Sequence, residues 1–400
     1  MADMLSLEEA QARTLALAPL LPVERSDVAG TLGRYLVEPL LARRTQPAAH
    51  VSAMDGYAVR ADDRTGPWRL AGESSAGHPY ENAVNRGEAV RISTGAILPA
   101  DCDVVIVQED TARDGDRVLL SGQGPEPADR HIRRAGADFR HDCELLPAGT
   151  RMGPTQIALA ITAGHKHLAV RRAPRIAVID GGDELASDPE LCPAHQIPAS
   201  NGAMLAALAR SVPSEITRIG PVPDDLDALI AALDLAGNVD LIVTTGGASV
   251  GDHDLIRPAL ERWGATIDFW RVGIKPGKPI LVARKGAQLV LSLPGNPVSS
   301  FVTAYLFMLP LLRIMLGATH PLPRSLSFPS ATALPPTRDR REFVRAHFTE
   351  TGVAPVSTQD SGALAALAAT ECLIERPALS AAIAPGASVP VYLLENGGLA

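Results

Sequence analysis

The sequence predicts a multidomain α/β plus β protein. It divides into a central three-layer α/β domain, an inserted β-rich domain, a helical connector domain and a C-terminal β-barrel-like domain. Three observations carry this. Its 400 residues exceed what one ordinary core accommodates. Residues 173–318 alternate apolar strand-like runs with helical ones. Residues 47–137 and 323–396 carry short strand-like runs punctuated by Gly, Pro and Asp.

Residues 1–46 and 138–172 read as one split helical connector. The first segment starts acidic and has the pattern of an amphipathic helix rather than a signal peptide. In the second, Pro154 opens TQIALAITAG at a first-turn position and Gly164 closes it. Between them, 47–137 contains GYAVRA, EAVRIS, DVVIVQE and DRVLLSG, the spacing of a small β unit.

Residues 173–318 form the α/β domain, with strands such as RIAVID and DLIVTTGG and helices such as DDLDALIAALDLA. Nearly continuous apolar strands argue for a parallel sheet covered on both faces. In such sheets the ligand crevice lies beyond the carboxyl ends of the strands. The run from Pro297 to Gly317 imitates a membrane span but contains Pro310 and Arg313, so a buried helix is expected and no membrane partner. A Pro-rich linker leads to the final unit, 323–396, with REFVRAHF and SVPVYLL.

The net charge is −8 and aromatics make up 4%, which disfavours nucleic acid as a partner. Cys102, Cys143, Cys192 and Cys372 are widely spaced, so a disulfide framework is not expected and a cytoplasmic location is. Arg supplies nearly every cation; only Lys166, Lys275, Lys278 and Lys285 are lysine. Two of these sit three apart in Lys275-Pro-Gly-Lys-Pro279. A compact ammonium suits a small oxyanion differently from a planar guanidinium fork, and retention of Lys here points to such an anion. The plainer alternative is a chance cluster in a surface turn.

Four glycine-bearing turns are expected at one edge of the sheet: Gly181–Leu185, Gly246–Asp254, Lys275–Pro279 and Leu293–Ser299. Glycine lets backbone N–H groups approach a phosphate, and a following helix N-terminus adds partial positive charge. None matches a P-loop or a dinucleotide fingerprint. Acids accompany them: Asp183 and Glu184, Asp224 and Asp225, Asp252 and Asp254. Each alone reads as a cap, with Asp224 an N-cap or first-turn acid and Asp254 a cap. Together beside a phosphate they require a divalent cation, and hard oxygen donors point to Mg²⁺.

Ser52-Ala-Met-Asp-Gly-Tyr-Ala58, Arg91-Ile-Ser-Thr-Gly-Ala96, Gly182-Asp-Glu-Leu185, Gly246-Gly-Ala-Ser-Val-Gly251, Lys275-Pro-Gly-Lys-Pro279 and Leu293-Pro-Gly-Asn-Pro-Val-Ser299 follow one another along the chain. As an ordered set they closely resemble the molybdopterin molybdenumtransferase family, MoeA and the gephyrin E domain. The resemblance implies that the α/β domain binds molybdopterin and that the protein is an elongated homodimer with composite active sites. The implied reaction takes adenylylated molybdopterin and molybdate, with Mg²⁺, and releases AMP. A separate pterin-adenylating protein of the same pathway would supply the substrate.

By carry-over, Glu184, Asp224 and Asp254 serve the pterin-nucleotide and metal side, while Asp55 and Asp138 arrive from the partner. Lys275 and Lys278 complete the candidate catalytic set. The implied substrate-binding residues are Thr94, Gly246, Gly247, Ser249, Gly251, Asp252, Arg271, Pro294, Gly295, Asn296 and Ser299. The chain departs from the family pattern at Gly181 (usually Thr), Ala137 (Glu), Asp142 (Gly), Arg271 (Lys) and Ala369–Cys372 (Ala-Asn-Gly). The alternative reading is a diverged paralogue that binds molybdopterin as a carrier without inserting metal.

Overall fold

The computed structural model describes residues 4–246 and 255–394. Its centre is a six-stranded sheet of β1 (Arg175–Gly181), β2 (Glu215–Val222), β3 (Leu241–Thr245), β4 (Thr266–Arg271), β5 (Pro279–Lys285) and β6 (Gln288–Leu293). The spatial order is β2-β1-β3-β6-β5-β4. The first four in that order are parallel neighbours, as the apolar runs predict. β5 runs antiparallel to both β6 and β4, so the sheet is mixed rather than wholly parallel. The reason is local: Lys285 pairs with Gln288 across a two-residue turn. Only antiparallel strands can be joined so tightly.

Alternation along the strands sorts the two faces. Ile176, Val178, Leu241, Val243, Leu289 and Leu291 join one core with α1 (Asn201–Ala209) and the long helix Pro297–Met315. Ala177, Ile179, Ile242 and Val290 join another with helices Leu226–Leu235 and Ile256–Trp263. Each fully buried Val, Leu or Ile contributes about 1.5–3 kcal/mol. The result is three layers.

Helix Pro297–Met315 has a mean hydropathy of 1.6, and 89% of its apolar window is buried within the protein. A π-turn at Ala304–Met308 precedes Pro310. Pro310 has no N–H to donate to the Leu306 carbonyl four residues back. Gln11 Nε2, from helix Leu7–Ala16, donates to that carbonyl instead at 2.9 Å. Arg313, 4% exposed, donates to the Pro321 carbonyl at 3.2 Å.

Strand Val23–Asp27 pairs antiparallel with His167–Arg171, holding together the chain on either side of the insertion. That strand lies where the sequence predicts only helix and connector. Its residues are mostly exposed, so no apolar alternation marks it. Within the inserted unit, a six-stranded sheet runs Val104–Val107, Gly56–Val59, Glu88–Ile92, Trp68–Ser74, Arg117–Leu120, Thr111–Asp114 in spatial order.

In the C-terminal unit, Arg341–Thr349 pairs with Cys372–Arg376, which pairs with Ser388–Leu393, which pairs with Leu326–Pro329. Arg341–Thr349 also pairs with Gly352–Pro355. A bridge from Ser330 to Val353 brings the ends of strands Leu326–Pro329 and Gly352–Pro355 together, closing the sheet into a small barrel. The short strand Ile274–Lys275 leaves the central sheet and pairs with Arg341–Glu342 of this barrel. All four cysteines are free thiols.

Candidate active site

The parallel strands β1, β3 and β6 end in the turns at Gly181, Gly246 and Leu293–Asn296. β5 starts at Pro279 and runs antiparallel to β6, so the lysine turn meets the same edge. Gly181, Gly246, Leu293–Asn296 and the lysine turn, distant in sequence, therefore converge on one edge of the sheet. They open on a cavity of about 710 Å³ lined by Asp180, Gly181, Glu184, Thr245, Gly246 and Pro294–Pro297. A second cavity of about 530 Å³ adjoins it through Pro279 and is lined by Lys275, Lys278, Ser299 and Arg340.

Of the predicted site residues, Glu184, Gly246, Pro294, Gly295 and Asn296 line the larger cavity, and Lys275, Lys278 and Ser299 the smaller. Asp224 borders a small recess beneath Gly181 and Gly246. It does not cap the following helix: Asp225 does, accepting from the Ala228 N–H at 2.9 Å. Arg271 ends β4 and lines neither main cavity. Gly247, Ser249, Gly251, Asp252 and Asp254 lie outside the described residues.

Asp55 and Thr94 belong to the inserted unit and Asp138 to its C-terminal root; none lines these cavities. Because Gly56 pairs with Ile92, Asp55 and Thr94 become neighbours across 39 residues. Asp55 Oδ1 accepts from the Thr94 N–H at 2.6 Å and from its hydroxyl at 3.0 Å. These bonds, the backbone one first, hold the Asp55 carboxyl below the usual carboxylate range, so it is presented outward as an anion. Asp138 is exposed, and its N–H donates to the Gln46 carbonyl.

Asp183 Oδ1 accepts from the Asp224 N–H at 3.1 Å, and Asp224 Oδ2 from the Asp183 N–H at 3.4 Å. No salt bridge neutralises Asp183, Glu184 or Asp224 among the described residues. Uncompensated carboxylates of this kind fit a hard divalent cation. Among the described residues, however, no three acids form a complete metal cluster.

Several lining groups escape a reading of the sequence. Asp180, 2% exposed, is the penultimate residue of β1 and accepts from the Gly202 N–H at the start of α1. Burial raises its pKa, against the opposing Gly202 bond and Arg218. Asn201 Nδ2 donates to Thr245 Oγ1 at 3.0 Å and to the Gly295 carbonyl at 2.6 Å, tying two turns together. Gly362 and Leu364 reach the larger cavity from the C-terminal unit. For Asp180 a signal existed, since it stands between an apolar strand and a glycine turn. The others are long-range contacts with none.

Three family models match consecutive parts of the chain: the MoeA N-terminal region (domain I and II) over residues 5–164, a probable molybdopterin binding domain over 177–314, and the MoeA C-terminal region (domain IV) over 328–394. A molybdopterin molybdenumtransferase of Haemophilus influenzae is 33% identical, covering 78% of both chains. The chain belongs to the molybdopterin molybdenumtransferase family. Another such relative, from Synechococcus elongatus, is 34% identical over 86% of this chain and 87% of its own. Among solved structures, the molybdopterin biosynthesis MoeA protein of Pyrococcus horikoshii OT3 superposes with a TM-score of 0.82 at 25% identity, covering 98% of this chain and 100% of that one.

Proposed function

We propose that the chain is a molybdopterin molybdenumtransferase: it takes adenylylated molybdopterin and molybdate, leaves molybdenum bound by the pterin dithiolene and releases AMP. The observation carrying this reading is the convergence of Gly181, Gly246, the Leu293–Asn296 turn and the lysine turn on two adjoining cavities. The larger, at about 710 Å³, suits a nucleotide-sized ligand. Backbone N–H groups at Gly181, Gly246 and Gly295 would approach its phosphates closely. The smaller would take molybdate beside Lys275 and Lys278.

Lys275 is held in place by Glu342, whose carboxylate accepts from its Nζ at 3.1 Å. Glu184 and Asp224, joined by Asp254, would hold Mg²⁺, which when bound neutralises the anhydride phosphates. Around it the chain binds the pyrophosphate through amides, orients the nucleotide against α1, and aims the lysines at molybdate. We further assign the exposed anions Asp55 and Asp138, with Thr94, to the active site of a second copy in a homodimer. We infer a division at 1–46 with 138–172, 47–137, 173–318 and 323–396. A pterin-adenylating protein of the same pathway is the implied donor, and four free thiols suit a cytoplasmic setting.

Purified protein given adenylylated pterin, molybdate and Mg²⁺ is expected to release AMP in step with molybdenum incorporation. Tight pterin binding without AMP release would instead favour the carrier alternative, which the missing hydroxyl at Gly181 motivates.

A further inference from the structure

One loop of the C-terminal barrel, residues 358–363, forms part of the wall of both cavities. Gln359 and Ser361 face the lysine pocket, and Gly362 faces the larger cavity. It also docks on the Leu293–Ser299 turn: Asn296 Nδ2 donates to Ser361 Oγ at 3.0 Å, and the Val298 N–H to the Ser361 carbonyl at 3.1 Å. This stretch lies outside helix and strand, so its carbonyls need partners from elsewhere.

One side chain supplies them. Arg345, on strand Arg341–Thr349, is 1% exposed. Its Nη1 donates to the Ala363 carbonyl at 3.1 Å, and its Nη2 to the carbonyls of Thr358 and Asp360 at 3.0 and 2.8 Å. From the other direction, the Gln359 amide accepts from the Arg345 N–H at 3.0 Å and donates to its carbonyl at 2.9 Å. No carboxylate forms a salt bridge with Arg345 among the described residues. A buried guanidinium whose two terminal nitrogens both donate to carbonyls of one loop is a shaping device. Its planar fork holds donors on separate nitrogens and so reaches carbonyls spread along the loop, a spread that the single nitrogen of an ammonium does not span.

We propose that Arg345 is a positioning residue for the transferase reaction: by clamping loop 358–363 it fixes the wall shared by the nucleotide cavity and the lysine pocket. This rests on the transferase reading above. The clamp explains how a barrel that contributes few polar groups to the site still controls it. Ser361 and Gln359 are delivered to the lysine pocket by a strand residue that lines neither cavity.

The test compares wild type with Arg345→Lys and Gln359→Ala by three readouts. These are molybdate binding by calorimetry, hydrogen exchange of the 358–363 amides, and KM for molybdate against kcat in the AMP-release assay. Arg345→Lys is expected to weaken molybdate binding and raise its KM roughly tenfold while kcat changes less than about threefold. Exchange should quicken in the loop and stay unchanged in the barrel strands. Gln359→Ala, which perturbs no buried charge, is expected to shift the same quantities in the same direction but less. Wild-type affinity and exchange in both variants would overturn the proposal, as would a fall in kcat at unchanged KM or a wild-type protein that binds no molybdate. A wild type that binds molybdate without releasing AMP would defeat the transferase reading alone, since calorimetry and exchange report the clamp without turnover.

Discussion

Gly246 follows β3 with a φ of 89°, and a Cβ there would lie 2.3 Å from the Gly181 carbonyl oxygen. The residue thus combines a left-handed backbone with a backbone-to-backbone approach at the floor of the larger cavity. Gly246→Ala is expected to cost about 2–4 kcal/mol in urea unfolding and to remove AMP release. An unchanged unfolding midpoint would show that the two turns have room to part. Such glycines were legible because turn chemistry is local. Asp180 and Asn201 act by what they touch 22 and 44 residues away, at Gly202 and Thr245. Neither pairing leaves a mark on neighbouring sequence. Asp55 enters the proposed site only through resemblance, because Asp-Gly alone reads as a tight turn.

Among elements, an ion pair ties the end of the connector to the central sheet. Arg172, just past strand His167–Arg171, donates two bonds, at 2.7 and 2.6 Å, to Asp240 at the head of β3. Asp240 also accepts from the Arg175 N–H at 2.7 Å. Burial pushes the Asp240 pKa up, but the Arg172 and Arg175 bonds outweigh it and hold it below the ordinary carboxylate value. A folded pKa below the unfolded one stabilises the protein above the unfolded pKa, and that stability is lost as pH falls through the folded value. Asp240→Asn is therefore expected to cost about 2–3 kcal/mol at pH 7. The gap to wild type should close as the solution is acidified below the carboxylate range. A gap constant down to acid pH would contradict this role. Elements with strong punctuation, such as helix Pro154–Thr162, were readable in advance. Strand Val23–Asp27 was not, because its stability comes from a partner more than a hundred residues on rather than from an apolar face.

For the whole molecule, the two cavities and the exposed acids pose one geometric problem. Asp55 and Asp138 stand on the inserted unit and its root, away from the turns they are assigned to serve. The homodimer proposed above answers it: a second copy related by a two-fold axis would set its inserted unit against this chain's α/β domain and bring the two sets of residues into one site. The order of units along the chain was legible from composition shifts. Their assembly was not, because one sequence carries no record of which surfaces meet. The most direct test mixes two inactive variants, Asp55→Asn and Glu184→Gln, by co-refolding and measures molybdate-dependent AMP release. Half of the random dimers would pair one chain of each kind, and each of those would hold one site with both residues intact. The shared-site account predicts recovery to about a quarter of wild-type activity from two proteins that are each nearly inactive. A mixture as inactive as its components would contradict it.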